Sequence, residues 1–242
     1  MEYRLERLNW KQFKKTVPGK TDIVLLPVGT IEAHGPGALG TDAIIPAYLA
    51  ERLSTKLNAL VAPAINYGVT NSLIGFPGSL TVSPQTLRAY VREVAFSLAD
   101  AGFRKIIVLN GHGGNIGSLE DLGAGLWREK KAGCLVINWW MATEEVTAKY
   151  FDGSGHAGAD ELAALMAVDP TLVSKADYRR EEVGHRFEGI SMHPFYRSMI
   201  LNQPGKGYPV FDTGRARKYL EAVVAKLTSD IKQILAGWEK II

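Results

Sequence analysis

The sequence holds one cysteine, Cys134, so no disulfide can form within the chain. That pattern suits a reducing compartment, and Cys134 itself, set in an apolar run, reads as a buried strand residue. No uninterrupted apolar run approaches the roughly 18 residues that a membrane-spanning helix needs. The first residues, Met1-Glu2-Tyr3-Arg4-Leu5-Glu6-Arg7, lack the apolar core of a signal peptide. The expectation is a soluble cytoplasmic protein. Charge of one sign never accumulates either. The 28 Lys and Arg are spread along the chain against 25 Asp and Glu, for a net charge of +3, which gives nucleic-acid binding little support. There is no internal repeat and no low-complexity tract. What is present is 242 residues, 46% of them hydrophobic, enough for one large domain with a substantial core and short for two.

Apolar, β-branched runs alternate with helical patterns. Ile23 to Val28, Leu60-Val61-Ala62, Ile106 to Leu109 and Leu135-Val136-Ile137 read as strands of a sheet buried on both faces. Helical spacing follows over Ala43 to Leu57. It resumes from Ser83-Pro84, an N-cap residue with proline at the first helical position, to Gly102. Further helices are expected over about Ile116 to Lys131, Gly158 to Val168 and Arg215 to Leu235. This βαβα order predicts a single three-layer α/β/α domain, class α/β, with a largely parallel central sheet. Residues 177–212, rich in aromatics, Gly and Pro, read as an irregular lid or subunit contact.

Three loops carry the chemistry. In the first, Glu32 and His34 are followed by Asp42, one imidazole and two carboxylates close in sequence, a set that binds divalent metals well. It begins where an apolar run ends, the place where open α/β sheets hold their ligands. The second is Asn110-Gly111-His112-Gly113-Gly114-Asn115. A glycine-rich turn between strand and helix can cradle phosphate or serve only as a turn. This one has neither the lysine of a P-loop nor dinucleotide-binding spacing, and a histidine at its centre fits a metal ligand better. The third is Gly155-His156-Ala157-Gly158-Ala159-Asp160-Glu161. Asp160 and Glu161 could do no more than complement a helix dipole, or could face the same cleft as His156. The remaining histidines, His185 and His193, read as surface or interface residues.

Together these segments resemble the creatininase family of metal-dependent amidohydrolases. The likeness rests on Leu26 to Gly35 with Gly40-Thr41-Asp42, on Gly75-Phe76-Pro77-Gly78-Ser79, on Asn110 to Asn115, and on His156-Ala157-Gly158 followed by Glu161. It covers most of the chain to about residue 170 and only loosely the last third. The resemblance implies a layered α/β fold, often a hexamer built as a trimer of dimers, and two divalent ions, variously zinc, manganese or iron. Glu32 and His112 would hold one ion, His34 the other, and Asp42 would bridge them. His156 matches the histidine that shuttles protons. Ser79, Gly113 and Asp152 are the candidates for contact with a small-molecule substrate.

Two departures separate this chain from creatininase proper. There, the His112 loop also supplies a carboxylate ligand two residues on, where this chain has Gly114. Glu161 is the candidate replacement, able to reach the same metal. A substrate-covering tryptophan and an aspartate are likewise replaced by Asp152 and Gly153, which disfavours creatinine. A mixed His and carboxylate set without thiolate suits zinc, manganese or iron(II). A two-metal centre activates water near neutral pH, and His156, with an ordinary pKa near 6.5, suits proton transfer to a leaving nitrogen. Glu161 could otherwise be the base, with His156 orienting the carbonyl. The leading expectation is therefore hydrolysis of a small cyclic amide or formamide. Alternatives are a formamidopyrimidine-nucleotide deformylase, for which Arg179, Arg180 and Arg186 could meet phosphate, a peptidase acting on a modified peptide, and a binding relative without catalysis.

Overall fold

The apolar runs form the centre of the computed structural model, which describes residues 2–241. In chain order the elements are α1 (Trp10–Thr16), β1 (Ile23–Val28), α2 (Thr41–Leu57), β2 (Leu60–Val61), α3 (Pro84–Asp100), β3 (Lys105–Asn110), α4 (Ile116–Leu119), α5 (Leu122–Lys130) and β4 (Gly133–Asn138). They continue with α6 (Trp139–Ala142), α7 (Glu144–Tyr150), β5 (Gly155–His156), α8 (Ala159–Val168), β6 (Val183–His185), β7 (Met199–Leu201) and α9 (Thr213–Trp238).

The central sheet runs β2-β1-β3-β4, with every neighbouring pair parallel. Leu26 lies opposite Val108, which lies opposite Val136. Side chains alternate across this sheet and feed two separate cores. Leu25, Ile107 and Leu109 pack with α2, α8 and α9 on one face. Val24, Leu26, Ile106 and Val108 pack with α3 and α5 on the other. Burial on both faces is why these strands read as continuous apolar runs. The outcome is the expected three-layer α/β/α arrangement.

Local chemistry sets the helix ends. Ser83 Oγ accepts the Thr86 N–H at 3.1 Å to cap α3, and Asp212 accepts the Arg215 N–H at 3.0 Å to cap α9. Asn58 closes α2 in the left-handed conformation, at φ 50°. The helix expected over Ile116 to Lys131 is instead two, α4 and α5, because Asp121 at ψ −3° opens the hydrogen-bond ladder between them. Cys134 sits on the edge strand β4, half-buried, and burial pushes its thiol up to about 12.

Residues 177–212 are less irregular than their composition suggests. They contribute β6 and β7 to a second sheet, ordered β5-β7-β6, in which β7 is antiparallel to β5 and parallel to β6. Each strand is three residues or fewer, too short for a periodic signal, and each finds its partner far along the chain. Among the described residues, no helix is long and apolar enough to cross a membrane.

Candidate metal centre

The centre lies beyond the carboxyl ends of β1 and β3, where a parallel sheet leaves a crevice. Glu32 and His34 come from the loop after β1, Asp42 from the first turn of α2, and His112 from the loop after β3. His156 lies on β5 and Glu161 in the first turn of α8. Two glycines bring Asp42 into place. A Cβ on Gly29 would lie 2.3 Å from the Asp42 carbonyl oxygen, and one on Gly111 would lie 2.0 Å from the same atom. Only hydrogen at both positions lets the start of α2 settle over the strand ends.

Each of the three histidines is fixed in the same manner. One ring nitrogen donates to a backbone carbonyl, and the other turns toward carboxylates. His34 Nδ1 donates to the Glu32 carbonyl at 3.1 Å, which aims Nε2 at Asp42 Oδ1 (2.9 Å) and Glu161 Oε2 (3.5 Å). His112 Nε2 donates to the Val69 carbonyl at 2.9 Å, which aims Nδ1 at Asp42 Oδ2 (2.8 Å) and Glu32 Oε1 (3.2 Å). His156 Nε2 donates to the Ala33 carbonyl at 2.8 Å, leaving Nδ1 at 3.4 Å from Glu32 Oε1. A backbone carbonyl that accepts from one ring nitrogen is the usual support of an imidazole that binds a metal through the other.

Three of the ligating atoms so arranged lack a hydrogen-bond partner. Both carboxylate oxygens of Glu32 and the Nε2 of His34 are buried without an aligned hydrogen bond. Buried lone pairs facing one another are costly unless a cation sits between them. Three triplets bring donor atoms within 4.8 Å of one another: Glu32 with Asp42 and His112, His34 with Asp42 and Glu161, and Glu32 with His34 and His156. Asp42 belongs to the first two through different oxygens. This donor set fits a divalent cation on each side of Asp42.

Titration behaviour follows from the same packing. Burial by itself would lower the pKa of His34, but the Asp42 charge overrides it and holds the group well above its ordinary value. Burial opposes the charge of His112 too, yet Glu32 and Asp42 raise it to about 10. Burial would raise the Asp42 carboxyl, and the two imidazoles instead hold it far below the usual carboxylate range. In the metal-free protein, protons thus stand where cations would. His156 differs: burial, then the charge of His34, lowers its pKa and favours a neutral ring. Asp160 is buried beside the centre, accepts the Gly155 N–H at 3.2 Å, and is pushed up to about 8 by burial and by Glu161.

Several expected residues take other positions. Glu161 joins His34 and Asp42 rather than His112; its Oε2 also accepts the Ala157 N–H at 2.7 Å, a turn that holds Ala157 at φ 53°. The Val69 carbonyl stands 2.1 Å from where a Gly114 Cβ would be, so this backbone excludes a side-chain ligand at that position. Ser79 is buried and accepts the Ala33 N–H at 3.0 Å, bracing the ligand loop without lining the cleft. Asp152 accepts the Gly207 N–H at 3.0 Å and is likewise absent from the lining. Gly113 does line the cleft, whose volume is about 680 Å³, and so do Trp140, Glu144, Arg186 and His193. Sequence reading missed Asn110 and Asn115 as supports. Asn110 Nδ2 donates to the His112 carbonyl (2.8 Å), and Asn115 Oδ1 accepts the Val69 N–H (3.0 Å). Their place in the glycine-rich loop was the available signal. His193, read as a surface or interface residue, is exposed and stands at the rim of the cleft.

The chain is similar to known proteins along most of its length. A creatinine amidohydrolase from Pseudomonas putida is 26% identical over 186 residues, 69% of this chain and 72% of that protein. A mycofactocin precursor peptide peptidase from Mycobacterium tuberculosis is 30% identical over 174 residues, 67% of this chain and 65% of that one. A solved creatininase mutant described as Zn-Zn type superposes with a TM-score of 0.81 at 22% identity, covering 96% of this chain and 98% of that one, a likeness of fold. The family model for creatininase, described as creatinine amidohydrolase, matches residues 6–230; with the ligand-like loops inside that span, the chain belongs to the creatininase family.

Proposed function

We propose that this protein is a metal-dependent amidohydrolase that cleaves a C–N bond of a small cyclic amide or formamide. The observation that carries the reading is Asp42, whose two oxygens face His34 and His112 separately while Glu32 and His34 keep buried donors without partners. One divalent ion would be held by Glu32, Asp42 and His112, and a second by His34, Asp42 and Glu161. Bound there, zinc, manganese or iron(II) would supply a nucleophilic water near neutral pH and polarise the scissile carbonyl.

The chain's own groups divide the remaining work. His156 has its Nε2 proton committed to the Ala33 carbonyl, so the free lone pair is on Nδ1. Its lowered pKa keeps that lone pair available at neutral pH. His156 Nδ1 takes the proton of the attacking water and returns it to the leaving nitrogen. Glu161 is held by the Ala157 N–H, which favours it as a ligand over a mobile base. Gly113 presents backbone to the substrate without a side chain in the way.

A second reading has one observation in its favour. The cleft has room for on the order of twenty waters at ~30 Å³ each, well beyond what a single small ring fills, so a modified peptide is the alternative substrate. A homo-oligomer, a hexamer in first place, is part of the same reading because the family resemblance implies it. Light scattering on purified protein tests that assembly. Metal analysis with a hydrolysis screen of cyclic ureides, creatinine, formamidopyrimidines and short peptides tests the activity. Protein that takes up no zinc, manganese or iron sinks the whole reading.

A further inference from the structure

The ligand-lined floor of the cleft is acidic, and its rim carries one strong cation. Glu32, Asp42, Glu144, Asp160 and Glu161 line the cleft, and among the described residues Arg186 is the one Lys or Arg that joins them. The short second sheet sets its position. Arg186 directly follows β6, and its backbone N–H donates to the Leu201 carbonyl on β7 at 2.9 Å. Its side chain is oriented as well. Asn202 Oδ1 accepts the Arg186 Nε–H at 3.3 Å, and Asn202 Nδ2 donates in turn to Ser154 Oγ at 3.0 Å. Ser154 and Asn202 both line the cleft. The guanidinium lies 5.5 Å from the centre of the Phe195 ring, another lining residue.

What that guanidinium lacks is an acceptor for its outer N–H groups. Among the described residues, no carboxylate forms an ion pair with Arg186, and Asn202 is the only side chain that accepts from it. Its neighbours in sequence are committed elsewhere: Arg179 donates to the carbonyls of Ala176 and Tyr178, and Arg180 stacks at 4.1 Å on Tyr208. A planar fork at the rim of a cleft, with its Nε–H held and no acceptor among the described residues for its terminal N–H groups, matches carboxylate or phosphate oxygens in pairs. We propose that Arg186, pinned by Asn202 at the rim of the cleft, recognises an oxyanion group, a carboxylate or a phosphate, on the substrate whose C–N bond is cut at the metal centre. This deepens the hydrolase reading and rests on it. The substrate is then bifunctional: an amide or formamide end meets the ligand cluster, and an anionic end reaches Arg186. Room well beyond one small ring is what such a molecule needs.

The test uses the metal-loaded protein and formamides of graded chain length, each ending in a carboxylate, a phosphonate or a neutral carboxamide. Binding is read by calorimetry and cleavage by formate release. At the best length, an anionic probe should bind about tenfold to a hundredfold more tightly than its neutral counterpart, the scale of a charge-assisted hydrogen bond. Arg186→Gln should bring that preference to near one while metal content stays at the wild-type level, and Arg186→Lys should keep part of it. Whichever anion binds better identifies the group recognised. Equal binding of neutral and anionic probes at every length overturns the proposal, as does an anionic preference that survives in Arg186→Gln. Arg186-dependent binding without formate release from any probe keeps the oxyanion site and counts against the hydrolase reading alone.

Discussion

The floor and the rim of the cleft are built by opposite means. On the floor, every imidazole is anchored to a backbone carbonyl, and Glu32, His34 and Asp42 are buried. On the rim, Arg186, His193 and Asn202 are exposed, carried by short strands and loops. The floor holds reactive atoms to the tolerance that chemistry demands. The rim needs only to present a charge and a shape. If the proposed function holds, the floor would set the type of reaction and the rim the choice of substrate, and the two should respond to substitution in different measurements.

The largest effect should come from the residue shared between both halves of the floor. Asp42→Asn should lower metal content on both sides and drop turnover to that of the metal-free protein; full occupancy measured by mass spectrometry would contradict the bridging assignment. His156→Ala comes next. It should keep its metal and lose about 10²–10⁴-fold in kcat, and an unchanged kcat would remove it from proton transfer. Asn115→Ala withdraws the acceptor of the Val69 N–H and the donor to the Gly29 carbonyl. Metal affinity should fall about tenfold to a hundredfold, at a cost of about 1–3 kcal/mol in stability; wild-type values in both would show that the carbonyl lock on His112 needs no such support.

A pH titration sharpens the contrast with a smaller effect. In the metal-free protein, His112 is raised from 6.5 to about 10. Its contribution to stability is full below the unfolded value of 6.5 and is lost as pH rises through about 10. The denaturation midpoint of metal-free protein should fall across that window, and zinc uptake at pH 7 should release protons. Calorimetry in buffers of different ionisation enthalpy reads the release directly, and zero protons displaced would contradict the assignment. The smallest effect belongs to the rim. His193→Ala should change KM while leaving metal content intact and stability within about 0.5 kcal/mol. A loss of metal in that variant would break the division between the two regions.

How much of this was legible in the sequence follows the same line. The β1 and β3 runs, the cap at Ser83, and the glycine-flanked loops carrying His34, His112 and His156 all left local signals. The gathering of His34 and His112 could be argued because strand ends in a parallel sheet share one edge. The Val69 carbonyl left none, since a backbone acceptor has no residue signature. Glu161 was legible only as a candidate: a gap at Gly114 suggested a vacancy to fill, and the grouping of Glu161 with His34 and Asp42 depends on contacts between distant segments that no spacing encodes. Ser79 and Asp152 were read as substrate contacts because they lie in or beside informative segments, but both brace loops through backbone N–H groups. The β5-β7-β6 sheet was invisible for want of length.

Gly29 and Gly111 carry one further consequence, for how variation along the chain should be interpreted. Neither offers an atom to substrate or metal, yet a methyl group at either would meet the Asp42 carbonyl and lift the first turn of α2. An alanine scan scored by turnover would rank these two silent positions beside the ligands. The distinction would emerge only in a metal titration, where displacement of Asp42 would weaken both ions together. Tolerance to mutation at this centre is thus governed as much by empty space behind the ligands as by the ligands themselves.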